Sequence, residues 1–373
     1  MAPVRNGKLI FNEIPSGYPE PGKTTIYDTQ SVIDLETVQL DGGVLIKVLC
    51  LSADPFLRDK MRDPGIESFT PAYIIGEPTY GYGIGKVIRS EKEGFKAGDI
   101  VHTPVLGTFN LSSIHTTKHV DHSQKPEHVE YTVQKDFTDL EVIVPEPGLP
   151  LSVYLGAAGM PVESNSRPHR ILCLEGVFQS QIGESTGETA FVTVAAGAVG
   201  SFVVQLAKLE GMKVITSAGS EDKLAFLKSL GADVAFNYKT TDTSEILVKE
   251  GPIDVYWDNA GGAILDAALG NAAVNARFIE CGMISGYNSK EGALMKNLWN
   301  IVTRRISLNG FIAEDLNPKW KKEFFEVVPK KLVNGELKYR EDITEGLEHA
   351  GEALLEVQLG RNTGKKIIIV AKE

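Results

Sequence analysis

Residues 188–211 read ETAFVTVAAGAVGSFVVQLAKLEG. A β-rich run over 189–194 meets a glycine turn, and an amphipathic stretch then continues to Gly211. The turn carries the pattern Ala195-x-Gly197-x-x-Gly200. Such a pattern is weak by itself. Between a strand and a helix it acquires a mechanism: Gly197 lets backbone approach a pyrophosphate, Gly200 lets helix and strand pack closely, and the helix N-terminus favours the anion.

Outward from this turn the texture repeats. MKVITSAGSEDKLAFLKSLGA (212–232) is a second strand and helix, with Ser220 as N-cap and Glu221 and Asp222 in an acidic first turn. VAFNYK, IDVYWDNAG and ARFIECGMIS supply three further strands. Strands alternating with helices at this spacing predict a parallel, doubly wound sheet of the Rossmann type. The end of the second strand selects the cofactor. Ser217 and Gly219 stand where an NAD enzyme places the carboxylate that bonds the ribose 2′-hydroxyl, and the acids come only in the helix that follows. With no carboxylate to repel a 2′-phosphate and Lys223 close by, the expected cofactor is NADPH.

Residues 1–145 read differently, as strands and turns: GGVLIKVLCLS, YGYGIGKVIRS and FKAGDIV, with glycines where a barrel strand would bend. VIVPEPGLPLS is punctuated like a boundary, and ITEGLEHAGEALLEVQLGRNTGKKIIIV reads as a helix, a turn and a closing strand that returns to the first domain. The expected domains are 1–154 with 332–373, and 155–331.

The bulk numbers narrow the function. A net charge of −11 argues against a general nucleic-acid or anionic-membrane binder, because phosphate contacts need surplus Lys and Arg. The start, MAPVRNGKLIFNEIP, lacks the apolar core of a signal peptide, and no apolar run is long enough to span a bilayer. Three scattered cysteines fit a reducing compartment, and the expected location is cytoplasmic.

AAGAVGS, SEDK, FNYK, DNAGG, CGMISGYN and GRNTGK, in this order, together with SADPFLR and LGAAGMP, resemble the zinc-independent branch of the medium-chain dehydrogenase/reductase superfamily, in the group of alkenal/one double-bond and prostaglandin (leukotriene) reductases. The resemblance implies an α/β fold, a Rossmann doubly wound parallel sheet plus a GroES-like β-barrel domain, commonly as a homodimer. It implies that Gly197, Ala198, Val199 and Gly200 cradle the pyrophosphate and that Lys223 and Tyr238 hold the 2′-phosphate of NADPH. It gives the rest of the cofactor to Asn259, to the stretch Cys281, Gly282, Met283, Ile284, Ser285, Gly286 and Tyr287, to Phe311, Ile312 and Ala313, and to Asn362. Zinc-dependent relatives carry Cys and His in the regions matching LSADPFL and GEPTYGYG; neither residue occurs there, so no catalytic zinc is expected. His115, His119 and His122 in HTTKHVDH have no partner cysteines and read as a polar loop.

Without a Lewis acid, hydride must go to a carbon that is already electrophilic. The β-carbon of an α,β-unsaturated aldehyde or ketone qualifies, and a hydrogen-bond donor at its carbonyl oxygen would favour the transition state. Tyr287 is the expected donor; the other reading is that it only contacts the cofactor ribose. Phe56, which stands where the family has Tyr in D-P-Y-M-R, and Tyr80 and Tyr82 are weaker candidates for a substrate wall, the last two reading more readily as barrel-surface aromatics. A quinone or enoyl reductase of the same superfamily, and a cofactor-binding protein with impaired catalysis, stay open as alternatives.

The impairment would come from two segments that leave the resemblance, 105–124 and 162–186. With permitted synonymous codons, RPHRILCLEGVFQSQIG (167–183) read one nucleotide later becomes GPTAYCAWKEYSKAKSG, which contains the family's T-A-Y. Removing Val105 to Gln124 joins HTP to KPEHVEYTV, a normal family strand. The removed codons could begin GT and end CAG, and TTKH can encode ACTAAAC, a branch-site-like sequence. These segments read as a frame-displaced exon and a retained intron, the alternative being genuine loops of this lineage.

Overall fold

A computed structural model describes residues 2–103, 128–137, 140–159, 186–312 and 321–372. The divergent stretches Val105 to Gln124 and Arg167 to Gly183 lie outside the described residues, as do Ala313, His115, His119 and His122.

The chain divides into two compact units, one of residues 1–155, 342–361 and 366–373, the other of residues 156–341 and 362–365. The second crossing falls at Asp342, later than the boundary at 332 expected from the sequence, and the helix Lys321–Val333 and the segment up to Glu341 belong with the second unit.

The second unit holds the parallel sheet. Its elements are β1 (Thr189–Val192), α1 (Ala198–Leu209), β2 (Lys213–Ala218), α2 (Glu221–Ser229), β3 (Val234–Asn237), α3 (Thr243–Glu250), β4 (Ile253–Asp258), α4 (Gly262–Gly270), β5 (Ala272–Glu280), α5 (Trp299–Thr303) and β6 (Ser307–Gly310). The strand order is β3-β2-β1-β4-β5-β6, parallel throughout. That is the doubly wound order, with its reversal between β1 and β4. The sheet interior is aromatic: Phe191 stacks on Tyr256 at 5.4 Å between ring centroids, and Tyr256 meets Phe278 at 5.0 Å. Burying each of these rings stabilises the fold by roughly 1.5–3 kcal/mol. On α1 the residues Phe202, Val203, Val204, Leu206 and Ala207 are buried, and the helix stops where Gly211 takes a φ of 76° that a side chain would resist.

In the first unit the strand Val44–Ser52 is central. It pairs antiparallel with Gly83–Ser90, with Tyr131–Gln134 and with Ile367 to Ile369 of the closing strand Lys365–Ile369. Glycine on the neighbouring strand serves close approach, since a Cβ on Gly85 would stand 2.3 Å from the Ile46 methyl. The closing segment departs from expectation at one place. Ile343 was expected in a helix, but Glu341–Glu345 is a strand, Gly346 turns at a φ of 90°, and the helix begins only at Ala350. Among the described residues no helix is long and apolar enough to cross a membrane.

Candidate active site

In open parallel sheets ligands bind beyond the carboxyl ends of the strands where the order reverses, here β1 and β4. The loop leaving β1 begins at Thr193, and its next residue, Val194, has a φ of 48°, costly for a β-branched side chain and typical of a backbone held for function. A Cβ on Gly200 would lie 2.6 Å from the Ala195 Cα and 2.7 Å from the Val194 carbonyl, so only glycine allows α1 to start this close to the loop. Gly197 is the N-cap of α1, and no side chain caps the helix or places an acid in its first turn. The N–H groups of Ala198, Val199 and Gly200 therefore open a helix N-terminus suited to phosphate.

At the end of β2 the sheet register brings β3 alongside, with Ala218 opposite Asn237. The residues just beyond these strands then meet. A Cβ on Gly219 would stand 3.1 Å from the Lys239 ammonium and 3.1 Å from the Tyr238 hydroxyl. Lys223 is half-buried in the first turn of α2. Ser220 occupies the expected N-cap position, though its hydroxyl makes no capping bond. Asp222, one of two acids in the first turn of α2, is drawn into an ion pair with Arg340 at 2.9 Å. The end of β2 thus gathers Lys239 and Tyr238, with no carboxylate at Ser217 to Gly219. Sequence reading missed Lys239, whose signal is the NYK triplet ending the strand next to β2.

On the other side of the reversal, Asp258 closes β4 and organises the loops. Its Oδ1 accepts from the N–H groups of Ala260 (2.7 Å) and Gly261 (2.8 Å) and from the Tyr256 hydroxyl (2.9 Å). Its carbonyl accepts from the N–H groups of Cys281 and Gly282, which start the loop after β5. Asn259 ties this loop to the one after β1: its N–H donates to the Thr193 hydroxyl at 2.9 Å and its amide to the Thr193 carbonyl at 2.8 Å. Ile284 and Ser285 donate in turn to the carbonyls of Asn259 and Ala260. The half-buried Tyr287 folds back over its own loop, its phenol oxygen accepting from the Met283 N–H at 3.3 Å. Met283, Ser285 and Gly286 are exposed, and Ile284 is half-buried. Burial pushes the Cys281 thiol up to about 12, so it is neutral and no nucleophile at ordinary pH.

Phe311, just beyond β6, packs edge-on against Trp257 at 5.8 Å, and Ile312 beside it is exposed. Asn362 donates to the Gly364 carbonyl at 2.8 Å, and the Gly364 N–H donates to the Ala196 carbonyl at 3.0 Å. This seats the 362–365 crossing on the glycine loop.

The remaining candidates belong to the first unit. Tyr80 and Tyr82 are not barrel-surface aromatics: both are buried. Tyr80 packs edge-on against Tyr73 at 5.0 Å, donates to the Pro71 carbonyl at 3.3 Å and has Lys60 over its ring at 4.5 Å. Tyr82 stacks on His102 and meets Phe56 edge-on at 6.2 Å. Among the described residues no three His, Cys, Asp or Glu side chains gather as a metal site would require.

Comparison with known proteins identifies the family and the cofactor. The family model for zinc-binding dehydrogenases matches residues 198–330, and that for the N-terminal domain of oxidoreductases matches residues 8–120. The chain is 35% identical to 2-alkenal reductase (NADP(+)-dependent) of Nicotiana tabacum, over 99% of each chain. It is 34% identical to (+)-pulegone reductase of Mentha piperita, over 99% of this chain and 100% of that one. Among solved structures it resembles CurA of Vibrio vulnificus in complex with NADPH, with a TM-score of 0.80 and 28% identity over 98% of this chain and 100% of that one. The glycine loop, the open α1 N-terminus and the cationic, carboxylate-free end of β2 fit NADPH, which is the cofactor. The chain belongs to the medium-chain dehydrogenase/reductase superfamily, in the branch of the NADPH-dependent alkenal and enone double-bond reductases.

Proposed function

We propose that this protein reduces the carbon–carbon double bond of α,β-unsaturated aldehydes and ketones without a metal, with Tyr287 as hydrogen-bond donor to the substrate carbonyl. The observation that carries the reading is the convergence of the loops after β1, β4 and β5 through Thr193, Asn259 and Asp258, with Tyr287 on the last of them. NADPH, when bound, supplies the hydride that reaches the β-carbon. The chain's part is to hold the pyrophosphate on α1 through Gly197, Ala198, Val199 and Gly200, and the 2′-phosphate through Lys223, Tyr238 and Lys239. Asn259 and the 281–287 loop, with Phe311 and Asn362, line the remainder.

As the double bond takes up hydride, charge moves to the carbonyl oxygen. The Met283 N–H donating to the Tyr287 oxygen polarises the phenol toward donation at that oxygen. The enolate then takes a proton at its α-carbon. No step calls for zinc, and the regions matching the family's zinc ligands offer no Cys or His. Phe56, half-buried beside Tyr82, is the first unit's candidate for the substrate wall.

The protein works in the cytoplasm, a reading supported by its three scattered cysteines, a usage that fits a reducing compartment. It pairs with a second copy along the β6 edge of the sheet, where Leu308 (44% exposed) presents apolar surface. Sedimentation at two salt concentrations tests the pairing. Turnover of a 2-alkenal, a cyclic enone and a quinone with NADPH tests the chemistry. Saturated carbonyl products support it; turnover of the quinone alone overturns it.

A further inference from the structure

Two carboxyl groups end neighbouring strands of the parallel sheet directly beneath the cofactor loops. Asp258, the last residue of β4, stands in register with Glu280, the last residue of β5. Asp258 is fully buried. Its Oδ1 is saturated by Ala260, Gly261 and Tyr256, with the Thr193 hydroxyl at 3.2 Å. Its Oδ2 is buried and receives no donor among the described residues, and the same holds for both oxygens of Glu280. Two ionised carboxylates packed this way would leave three buried acceptors unmet and two like charges side by side, both of which disfavour the doubly charged pair. One proton shared between a Glu280 oxygen and Asp258 Oδ2 removes one of the two like charges and gives two of the three acceptors a partner.

We propose that Glu280 is a positioning residue for the NADPH site, holding as a neutral acid the proton that bridges to Asp258 and so keeping the loops after β4 and β5 in register.

The charges around the pair agree. Burial first, and then the Asp258 charge and its contact, push the Glu280 carboxyl up to about 8. The other titratable groups facing it do not change charge near neutrality. The Tyr256 phenol is driven well above its ordinary range by burial and by Asp258, and the Cys281 thiol to about 12. The neighbouring strand β6 places Gly310 opposite Glu280 and carries no ionisable side chain. Arg277, the only cation on β5, is ion-paired with Glu188.

The consequence runs through hydrogen bonds already described. Asp258 holds the N–H groups of Ala260 and Gly261 through Oδ1, and those of Cys281 and Gly282 through its carbonyl. When Glu280 loses its proton, a second negative charge appears between the ends of β4 and β5. The loops carrying Asn259 and Tyr287 are then pushed apart at their roots. The sign is fixed by the raised carboxyl: the ordered, proton-bearing site prevails below about 8 and is lost as pH rises through that value.

The test is NADPH affinity of the full-length protein, read by cofactor fluorescence from about pH 6 to about pH 10. The wild type loses affinity with a midpoint near 8, by about tenfold if NADPH binding raises the carboxyl by about one pH unit. Glu280→Gln, whose amide N–H still donates to Asp258, keeps the low-pH affinity and is flat through this midpoint. The 2′-phosphate of NADPH titrates equally in both proteins, so their difference isolates Glu280. Equal midpoints in the two, or a flat wild type, overturn the proposal. Infrared difference spectra of the wild type decide it independently of any variant. A protonated-carboxyl band present at neutral pH and lost above the midpoint supports the shared proton, and its absence at neutral pH contradicts it.

Discussion

Gly219 and Lys239 meet beyond the ends of adjacent strands, so close that a Cβ on the glycine would stand 3.1 Å from the lysine ammonium. The cation lies beside the carboxylate-free end of β2, with a hydroxyl from Tyr238 next to it. A charge-assisted contact of this kind is worth about 1.5–3 kcal/mol. Lys239→Ala therefore raises the Kd for NADPH by about tenfold or more, while the Kd for NADH stays within about twofold. Titration of both cofactors by fluorescence checks this. Equal losses for the two cofactors would show that Lys239 acts on something other than the 2′-phosphate.

The close start of α1 makes Gly200 intolerant of a methyl group. In Gly200→Ala the new Cβ would meet the Ala195 Cα and the Val194 carbonyl, both backbone, and neither can rotate away. Such overpacking costs about 1–3 kcal/mol. The expected result is a lower melting temperature together with weaker NADPH binding. Gly292→Ala, with open space around its Cβ, is the matched control and leaves both unchanged.

Tyr287 separates two roles by kinetics. If its hydroxyl donates to the developing enolate, Tyr287→Phe lowers kcat by about a hundredfold with NADPH affinity unchanged. If the hydroxyl only contacts ribose, the cofactor Kd rises and kcat holds. Steady-state kinetics paired with direct cofactor titration distinguish them.

The divergent segments yield a prediction about the gene. A chain lacking Val105 to Gln124 and carrying GPTAYCAWKEYSKAKSG in place of residues 167–183 is expected to exceed the present chain in kcat/KM toward 2-alkenals by at least about tenfold. The mature transcript is expected to encode that version. An uninterrupted transcript encoding both segments as they stand would sink the idea.

What was legible in the sequence was local. Gly197 and Gly200 sit between a β-branched run and an amphipathic one, and the period change marks strand, turn and helix without reference to anything distant. The absence of a carboxylate at Ser217 to Gly219 is equally local, and it led to NADPH. What was hidden depends on which strands become neighbours. Lys239 reaches Gly219 because β3 pairs with β2, and Glu280 meets Asp258 because β5 pairs with β4. The edge strand β6, SLNG, has little β propensity of its own and exists through pairing with Arg277 to Glu280. The burial of Tyr80 and Tyr82 shows the same limit, since glycine-flanked aromatics can face either side of a sheet until packing decides.

The central claim is that hydride from NADPH reaches the β-carbon of an enone or enal. Reduction of a 2-alkenal or a cyclic enone with NADPH deuterated at the transferring position, followed by mass spectrometry and NMR of the product, tests this most directly. The account predicts a saturated carbonyl compound bearing deuterium at the β-carbon. An allylic alcohol with deuterium on the former carbonyl carbon would contradict it.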